Sequence, residues 1–147
     1  MSVLIDNRQN RKTVLLSKTK KAAQAILNAL DYPDAELSIV LVDDPQIATL
    51  NQDYLNRSGP TNVIAFPMRE GDYPDISPNL LGDVVISVDT AEREAHAAMI
   101  LPEDRFLELL IHGILHLLGY DHETDEKEAA RMEEKTRELM RLVGDYK

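Results

Sequence analysis

The stretch from residue 102 to residue 118 is apolar on nearly every side of the helix that it predicts. Pro102 suits the first position of a helix, and Gly119 suits the position just after its end. The large apolar residues between them are Phe106, Leu107, Leu109, Leu110, Ile111, Ile114, Leu115, Leu117 and Leu118. Because a helix that is hydrophobic all round has to be enclosed by protein, the other elements must pack around this one.

The remaining segments predict the elements that enclose it. Apolar runs predict strands at 3–5, 36–42, 62–66 and 81–88, and helical spacing predicts helices over 13–30, after Asp44, over 90–99 and after Thr124. We expect Asp44, Asp89 and Thr124 to be helix N-caps, and segment 67–80, rich in Pro, Gly and Asp, to be a long loop. The order β-α-β-α-β-β-α-α-α predicts an α+β fold, a mixed four-stranded sheet packed with about five to six helices.

The composition excludes several classes of protein. The 147 residues, 44% hydrophobic and 29% charged, are typical of one globular domain, which we expect to span residues 1–147. No apolar run approaches the ~20 residues of a membrane span, and the charged N-terminal segment is not a signal peptide. We therefore expect a cytoplasmic protein with no membrane partner. The absence of cysteine leaves His and carboxylates as the possible metal ligands.

The charge is unevenly distributed. A net charge of -10 argues against broad, non-specific nucleic-acid binding, and we expect no DNA partner. Residues 1–21, however, contain six Lys or Arg against Asp6 alone. This segment is either a local basic face for a polyanion or a solvated helix face.

Two histidines lie on the apolar helix, four residues apart. His112 and His116 project from one face, where two imidazoles can bind one ion. Gly119 allows a sharp turn that can bring His122 back as a third ligand. Three neutral imidazoles with one open position are typical of a catalytic zinc site, and nickel or cobalt can use the same ligands. The sequence thus predicts a metal site at the C-terminal end of this helix; ordinary core or surface histidines are the alternative.

The spacing H-x3-H-x5-H is that of the zinc site in the metzincin proteases, with one difference. Those enzymes carry Glu, their general base, directly after the first His, where this chain has Gly113. Phosphodiester cleavage depends mainly on a nucleophile, in-line geometry and positive charge on the phosphoryl oxygens. Gly113 therefore weakens the protease hypothesis and is compatible with phosphoryl chemistry. This glycine either opens space for a phosphate beside the ion or lets the helix pack closely on a strand.

Three segments, in the same order, resemble one known family. Residues 112–122, HGILHLLGYDH, resemble the H-G-x-L-H-L-x-G-Y-D-H signature of the YbeY family of bacterial metal-dependent endoribonucleases. Residues 60–67, PTNVIAFP, resemble the family's P-T-[DN]-V-L-S-F-P, and residues 81–87, LGDVVIS, resemble its L-G-D-I-V-I-S. The resemblance covers nearly the whole chain.

This resemblance implies a zinc-dependent endoribonuclease that is specific for single-stranded RNA. It implies a role in maturation of the 16S rRNA 3′ end and in ribosome quality control. The implied partners are the 16S rRNA precursor and the small ribosomal subunit. It also implies one four-stranded sheet with surrounding helices, in agreement with the elements above.

The chain departs from the family pattern just before residue 60. The family's usual arginine, in its Y-R-x-K-D-x-P-T segment, is Leu55 here, and Arg57 falls where a Lys is common. Since a guanidinium can hold a phosphoryl group at two points, we expect Arg57 to supply the missing positive charge. A solvated loop arginine is the alternative.

Three further residues are candidates for supporting roles. Asp121, next to His122, can orient an imidazole or act as a base, or it can simply form the turn. Thr61 and Asn62 can donate hydrogen bonds to a phosphate, or they can cap the turn before the strand.

Two other functional classes compete with the endoribonuclease. One is a non-catalytic ribosome-associated factor in which a structural metal ties the last two helices together. The other is a zinc peptidase or another hydrolase. Structural zinc is normally closed by four protein ligands, which argues against the first class, and the missing Glu argues against the second.

Overall fold

Four strands and five helices follow one another in the predicted order in the computed structural model, which describes residues 3–14, 16–68, 79–120 and 125–144. The strands are β1 (Val3–Asn7), β2 (Glu36–Val42), β3 (Val63–Pro67) and β4 (Leu80–Ser87). The helices are α1 (Leu16–Ala29), α2 (Asp44–Leu55), α3 (Val88–Ala98), α4 (Pro102–Leu117) and α5 (Glu126–Val143). The α+β prediction is confirmed, with element ends that differ by no more than three residues.

The strands form one mixed sheet in the order β1-β2-β4-β3. The pairs β1–β2 and β2–β4 are parallel, whereas β3 runs antiparallel to β4, with Val63 opposite Ile86 and Pro67 opposite Gly82. Strand β3 therefore lies at one edge of the sheet. The segment between β3 and β4, predicted as a long loop over 67–80, lies mostly outside the described residues.

The core surrounds α4, as its composition requires. Leu109, Leu110, Ile111, Ile114 and Leu115 are all fully buried. They belong to the main core cluster, which covers one face of the sheet and includes residues of α1, α3 and α5. A second, smaller cluster lies between the sheet and α2, built on Ile47, Ile64, Val42 and Val85. The prediction that α4 is enclosed by protein is confirmed.

Gly113 is the point at which α4 packs most closely on the sheet. A Cβ atom at this position would lie 2.4 Å from Cγ1 of Val84 on β4 and 3.0 Å from its Cγ2. Of the two explanations for this glycine, close helix–strand packing is the one that the structure supports. A side chain at residue 113 would therefore point into the sheet.

Two predicted N-caps are wrong. The cap of α2 is Asp43, not Asp44, and its carboxylate accepts a hydrogen bond from the backbone N–H of Gln46 at 3.0 Å. The cap of α3 is Ser87, not Asp89. Asp89 instead accepts a hydrogen bond from the backbone N–H of Asp44 at 2.9 Å, so the two acids join the starts of two helices. Asp44 and Asp89 thus interact with each other across the two helices, and neither caps its own helix.

The last helix also begins one residue later than predicted. Its N-cap is Asp125, which accepts a hydrogen bond from the backbone N–H of Glu128 at 2.7 Å. The predicted cap, Thr124, lies outside the described residues. Asp and Thr are both good N-cap residues, so the local sequence did not distinguish between them.

The Asp44 carboxylate holds α2 against the start of α3. It accepts hydrogen bonds from the hydroxyls of Ser87 at 2.7 Å and Thr90 at 2.6 Å, and it forms an ion pair with Arg93. Burial by itself raises the pKa of Asp44, but the hydrogen bonds from Thr90, Ser87 and Arg93 outweigh it and keep this pKa below its ordinary value of 3.8. The folded state therefore favours the ionised form.

Replacing Gly113 by alanine should destabilise the protein, because the added methyl group overlaps Val84. We expect the free energy of unfolding in urea to fall by about 1–3 kcal/mol, as for other overpacked cores. The double variant Gly113→Ala, Val84→Ala should lose less than the sum of the two single changes. Gly144→Ala is the control, since nothing lies within 4 Å of a Cβ there. Equal effects of Gly113→Ala and Gly144→Ala would contradict the close contact.

Replacing Asp44 by asparagine should cost about 2 kcal/mol near pH 7, because a hydrogen-bonded ion pair is lost. The pKa of Asp44 is lower in the folded protein, so the unfolded chain takes up its proton first as the pH falls. The stability advantage of wild type over Asp44→Asn should therefore be complete well above pH 3.8. It should shrink as the pH falls below that value. Urea unfolding between pH 3 and pH 7 measures this, with Asp53→Asn, at an exposed position of the same helix, as the control.

Candidate functional site

Beyond its first turns, helix α4 reaches the surface along a single polar stripe. From Leu107 to Leu117 every residue is buried except Glu108, His112 and His116, which are each partly exposed. These three are four residues apart, so their side chains lie one above the other on the helix. The predicted common face of the two histidines is therefore present, on a helix whose other sides are held by the core.

A glycine turn ends α4 directly after the polar stripe. Gly119 has a φ of +96°, and its N–H donates to the carbonyl of His116 at 3.0 Å. The N–H of Tyr120 donates to the carbonyl of Leu115 at 3.0 Å, which completes the Schellman pattern of a helix end. The predicted role of Gly119 as the residue that stops the helix is confirmed.

The chain beyond this turn is anchored on both sides of the segment that carries the third histidine. Tyr120 packs against the main core, and the guanidinium carbon of Arg131 on α5 lies 5.0 Å from the centre of its ring. Asp125 begins α5 on the other side. Asp121 and His122 themselves lie outside the described residues, so their roles as base and metal ligand stay predictions.

The donor atoms of the polar stripe fit a divalent metal ion of the zinc type. Two imidazoles on one rigid helix face supply the nitrogen ligands that zinc, nickel and cobalt prefer. Among the described ranges, which exclude His122, no three His, Cys, Asp or Glu side chains form a metal-binding group. The described pair His112 and His116 is therefore compatible with the predicted site, and the predicted third ligand, His122, lies outside the described residues.

A hydrogen-bonded network joins the polar stripe to the residue before β3. The Arg105 guanidinium donates to Glu94 from its Nε at 3.0 Å and lies 3.3 Å from Glu108. The side-chain amide of Asn62 donates to both oxygens of Glu94 at 3.2 Å. Asn62 is thus held beside the N-terminal end of the stripe, with its N–H group directed at a carboxylate. Its predicted contact with phosphate stays a prediction.

Sequence reasoning missed Glu94, Arg105 and Glu108. For Glu108 the sequence did contain a signal: it precedes His112 by the same four residues that separate the two histidines, which places it on the same face of the helix. The ion pairs of Arg105 had no such signal, since Glu94 belongs to a different helix. Thr61 lies half-buried next to Asn62.

Arg57 lies in an exposed turn between α2 and β3. Asn56 ends α2 in the left-handed conformation, with a φ of 55°, and the backbone N–H of Arg57 donates to the carbonyl of Asn51 at 3.2 Å. The buried amide of Asn51 donates to the carbonyl of Gly59 at 2.9 Å, which fixes the other end of the turn. The turn is therefore ordered by its backbone, and the arginine side chain is exposed to solvent.

The basic N-terminal segment is partly neutralised by acidic partners. Arg8 forms an ion pair with Asp6 at 2.6 Å, and Lys12 forms one with Glu92 of α3. These contacts reduce the positive field that the segment could offer to a polyanion. They favour the interpretation of this segment as an ordinary solvated surface.

None of the helices in the described part of the chain combines the length and the apolar character needed to cross a membrane.

Comparison with known proteins gives consistent matches over the whole domain. A family model described as Endoribonuclease YbeY matches residues 4–144. An Endoribonuclease YbeY from Geobacter sulfurreducens is 51% identical over 144 residues, which cover 97% of this chain and 96% of that protein. One from Syntrophotalea carbinolica is 51% identical over 142 residues, which cover 96% and 95%. The solution structure of a Thermotoga maritima protein is similar with a TM-score of 0.71 at 30% identity, over 98% of this chain and 91% of that one.

The matched range begins in β1 and ends after α5, so it includes the polar stripe, the glycine turn and the strand that follows Asn62. High identity over nearly the full length of two relatives agrees with the shared fold. The chain belongs to the Endoribonuclease YbeY family.

Proposed function

We propose that this protein is a zinc-dependent endoribonuclease that cleaves single-stranded RNA. The observation that carries the proposal is the polar stripe, in which His112 and His116 are the partly exposed side chains of a segment, 109–117, that is otherwise buried. Family membership supports the reaction class. We further propose that its substrate is the 16S rRNA precursor, which it cleaves at the 3′ end. In this role the protein contacts the small ribosomal subunit and takes part in ribosome quality control.

His112, His116 and His122 would hold the metal. Their neutral nitrogens suit zinc, with nickel or cobalt as substitutes, and three protein ligands leave one position open. When bound, such an ion would supply Lewis acidity for chemistry on a phosphodiester. The core around α4 fixes the backbone from which the first two imidazoles project, so their spacing is set before a metal binds.

Acid–base groups must come from positions other than residue 113. A glutamate there would overlap Val84, because even a Cβ atom lies 2.4 Å from the valine methyl group. The metzincin arrangement is therefore incompatible with the packing of α4 on β4, which argues against peptidase activity. Asp121, adjacent to the third histidine in sequence, is our candidate for the base.

Positive charge on the substrate phosphate is the second requirement, since phosphoryl transfer gathers negative charge on its oxygens. Arg57 is our candidate, because its side chain is exposed while its turn is fixed by Asn51. Thr61 and Asn62 follow in the same connection and would position the RNA next to the polar stripe. The Glu94 carboxylate keeps the Asn62 amide in one orientation.

Removing one stripe histidine should abolish both metal binding and RNA cleavage. We expect near-stoichiometric zinc in wild type by elemental analysis, and a large loss of zinc in His116→Ala, together with loss of cleavage of a labelled single-stranded RNA. His96→Ala is the matched control, because His96 is an exposed histidine on α3 whose side chain is 78% accessible. Neither wild type nor His116→Ala should cleave peptide substrates.

The outcomes of this experiment separate the competing functions. Zinc lost with unchanged cleavage would indicate a structural metal. Equal zinc in wild type and His116→Ala would disprove the proposed site. Proteolysis by wild type that His116→Ala abolishes would instead identify a peptidase.

Replacing Arg57 should reduce RNA cleavage without reducing the metal content. We expect Arg57→Ala to lose about 10²-fold in rate, or about 3 kcal/mol of transition-state stabilisation. Arg57→Lys should recover part of that loss, since it keeps the charge but not the two-point contact. Arg141→Ala, at an exposed position on α5, is the control. Cleavage by Arg57→Ala at the wild-type rate would show that this arginine is a bystander.

A further inference from the structure

The side-chain amide of Asn62 is held in one orientation by its neighbours. Its Nδ2 lies 3.2 Å from both carboxylate oxygens of Glu94. Glu94 in turn forms an ion pair with Arg105, whose Nη2 lies 2.9 Å from Oε1 of Glu94. Because a carboxylate in an ion pair accepts hydrogen bonds and has no hydrogen to donate, only the nitrogen end of the amide can face Glu94. The other end of the amide, the carbonyl oxygen Oδ1, therefore faces away from Glu94.

Oδ1 of Asn62 is an acceptor that receives no hydrogen bond from the part of the chain that the structure describes. The hydrogen bonds of this side chain both leave from its nitrogen. The residue is half-buried, and Oδ1 does not belong to the fully enclosed side-chain atoms that lack a partner. This oxygen is therefore open to solvent and accessible to a ligand.

The backbone of residue 62 is fixed as well as its amide. The N–H of Ser87 on β4 donates to the carbonyl of Asn62 at 3.0 Å, where the pairing of β3 with β4 begins. Strand β3 then continues along β4, with Val63 opposite Ile86. Since the backbone and the amide nitrogen are both hydrogen-bonded, the position of Oδ1 is set before a ligand arrives.

The charges around Asn62 disfavour a phosphate as that ligand. Arg105 links Glu94 to Glu108, the first residue of the polar stripe, at 3.3 Å. These two carboxylates share one guanidinium, which leaves one negative charge in excess beside the amide. A phosphodiester offers only acceptors, so it cannot bind to Oδ1, and near the amide nitrogen it would be repelled by Glu94. A neutral hydrogen-bond donor fits this oxygen.

We propose that Oδ1 of Asn62 accepts a hydrogen bond from a ribose 2′-hydroxyl of the substrate and thereby selects RNA over DNA. This inference rests on the proposed function, because it concerns the strand that the same site cleaves. The 2′-hydroxyl is the group that lets a protein distinguish RNA from DNA at a given position. Glu94 is a positioning residue, since it keeps the acceptor end of the amide outward. The predicted donation to a phosphate would instead use the nitrogen that Glu94 occupies.

An amino group of a base also has hydrogens to donate, but the surroundings favour the sugar. Recognition of an unstacked base usually adds stacking on an aromatic ring or on a guanidinium. The side chains that the structure links to Asn62, those of Glu94, Arg105 and Glu108, include no aromatic ring. The guanidinium among them is engaged by two carboxylates. A hydroxyl is also present on every nucleotide of RNA, so this contact does not require a particular sequence.

Single 2′-fluoro substitutions in a short unstructured RNA test the contact from the substrate side. Fluorine removes the hydroxyl donor and keeps the sugar pucker of ribose. We expect one position at which the zinc-loaded wild type binds the fluorinated strand about fivefold more weakly than the all-ribose strand, as for one neutral hydrogen bond. Fluorescence anisotropy on ice measures the affinity, and gel electrophoresis verifies that the strand is intact. Affinity is measured because a 2′-hydroxyl that itself attacks the phosphate would also change the cleavage rate.

Replacing Asn62 by alanine should remove this discrimination, because the acceptor is lost. We expect Asn62→Ala to bind the all-ribose strand about fivefold more weakly than wild type does. It should bind the critical fluorinated strand and the all-ribose strand with the same affinity. Asn28→Ala, at an exposed position on α1, is the matched control and should discriminate like wild type. Thermal unfolding verifies that both variants are folded.

A paired exchange distinguishes an acceptor at residue 62 from a donor. In the double variant Asn62→Asp, Glu94→Gln, the amide at position 94 can donate to the carboxylate at position 62. The direction of the hydrogen bond is then reversed, while the size of both side chains and the net charge stay the same. The side chain at position 62 keeps an outward acceptor and has no N–H to donate. We therefore expect this variant to retain the preference of about fivefold for the hydroxyl.

The outcomes separate this inference from the proposed function. If the zinc-loaded wild type neither binds nor cleaves the all-ribose strand, both are wrong. If it cleaves that strand but no single fluorination weakens binding, only the 2′-hydroxyl contact is disproved. A fluorine penalty that persists in Asn62→Ala would mean that another residue contacts the hydroxyl. Loss of RNA binding by the folded double variant would show that Asn62 acts as a donor.

Discussion

The close contact between Gly113 and Val84 is the constraint on which the rest of this structure depends. It brings a helix that is apolar all round against the centre of the sheet, where α1, α3 and α5 can cover its remaining sides. Any side chain at residue 113 would push α4 away from β4 and open a gap along the core. The glycine therefore serves packing, and the absence of a metzincin-type glutamate follows from the same contact.

Enclosing α4 has a direct consequence for chemistry, because from Leu107 to Leu117 it leaves only one stripe of the helix for polar side chains. Glu108, His112 and His116 occupy that stripe, and Arg105 ties its N-terminal end to Glu94 and Asn62. The flanking core fixes the backbone from which the histidines project, and the Schellman turn at Gly119 ends the helix directly after them. The packing that encloses α4 therefore also determines which of its side chains form the candidate site.

An acidic protein that acts on RNA has to concentrate its positive charge. The net charge of -10 repels polyanions over most of the surface, and the ion pairs of Arg8 and Lys12 neutralise part of the basic N-terminal segment. Under the proposed function, a bound metal and Arg57 provide the attraction locally. Such an arrangement favours recognition of a defined substrate over sliding along any nucleic acid, because few phosphate contacts contribute.

Features that depend on local spacing could be read from the chain alone. The element order, the enclosed helix, the common face of His112 and His116 and the stop at Gly119 all follow from the 3.6-residue repeat and from glycine's tolerance of positive φ. Features that depend on partners remote in sequence could not. Asp44 and Asp89 look like N-caps locally, but Arg93, Thr90 and the start of the other helix compete for them. The choice between the two explanations of Gly113 required Val84, and the Glu94–Arg105 pair required two helices to meet. Each of these is decided by tertiary packing, because a single segment carries no information about which distant segment will lie against it.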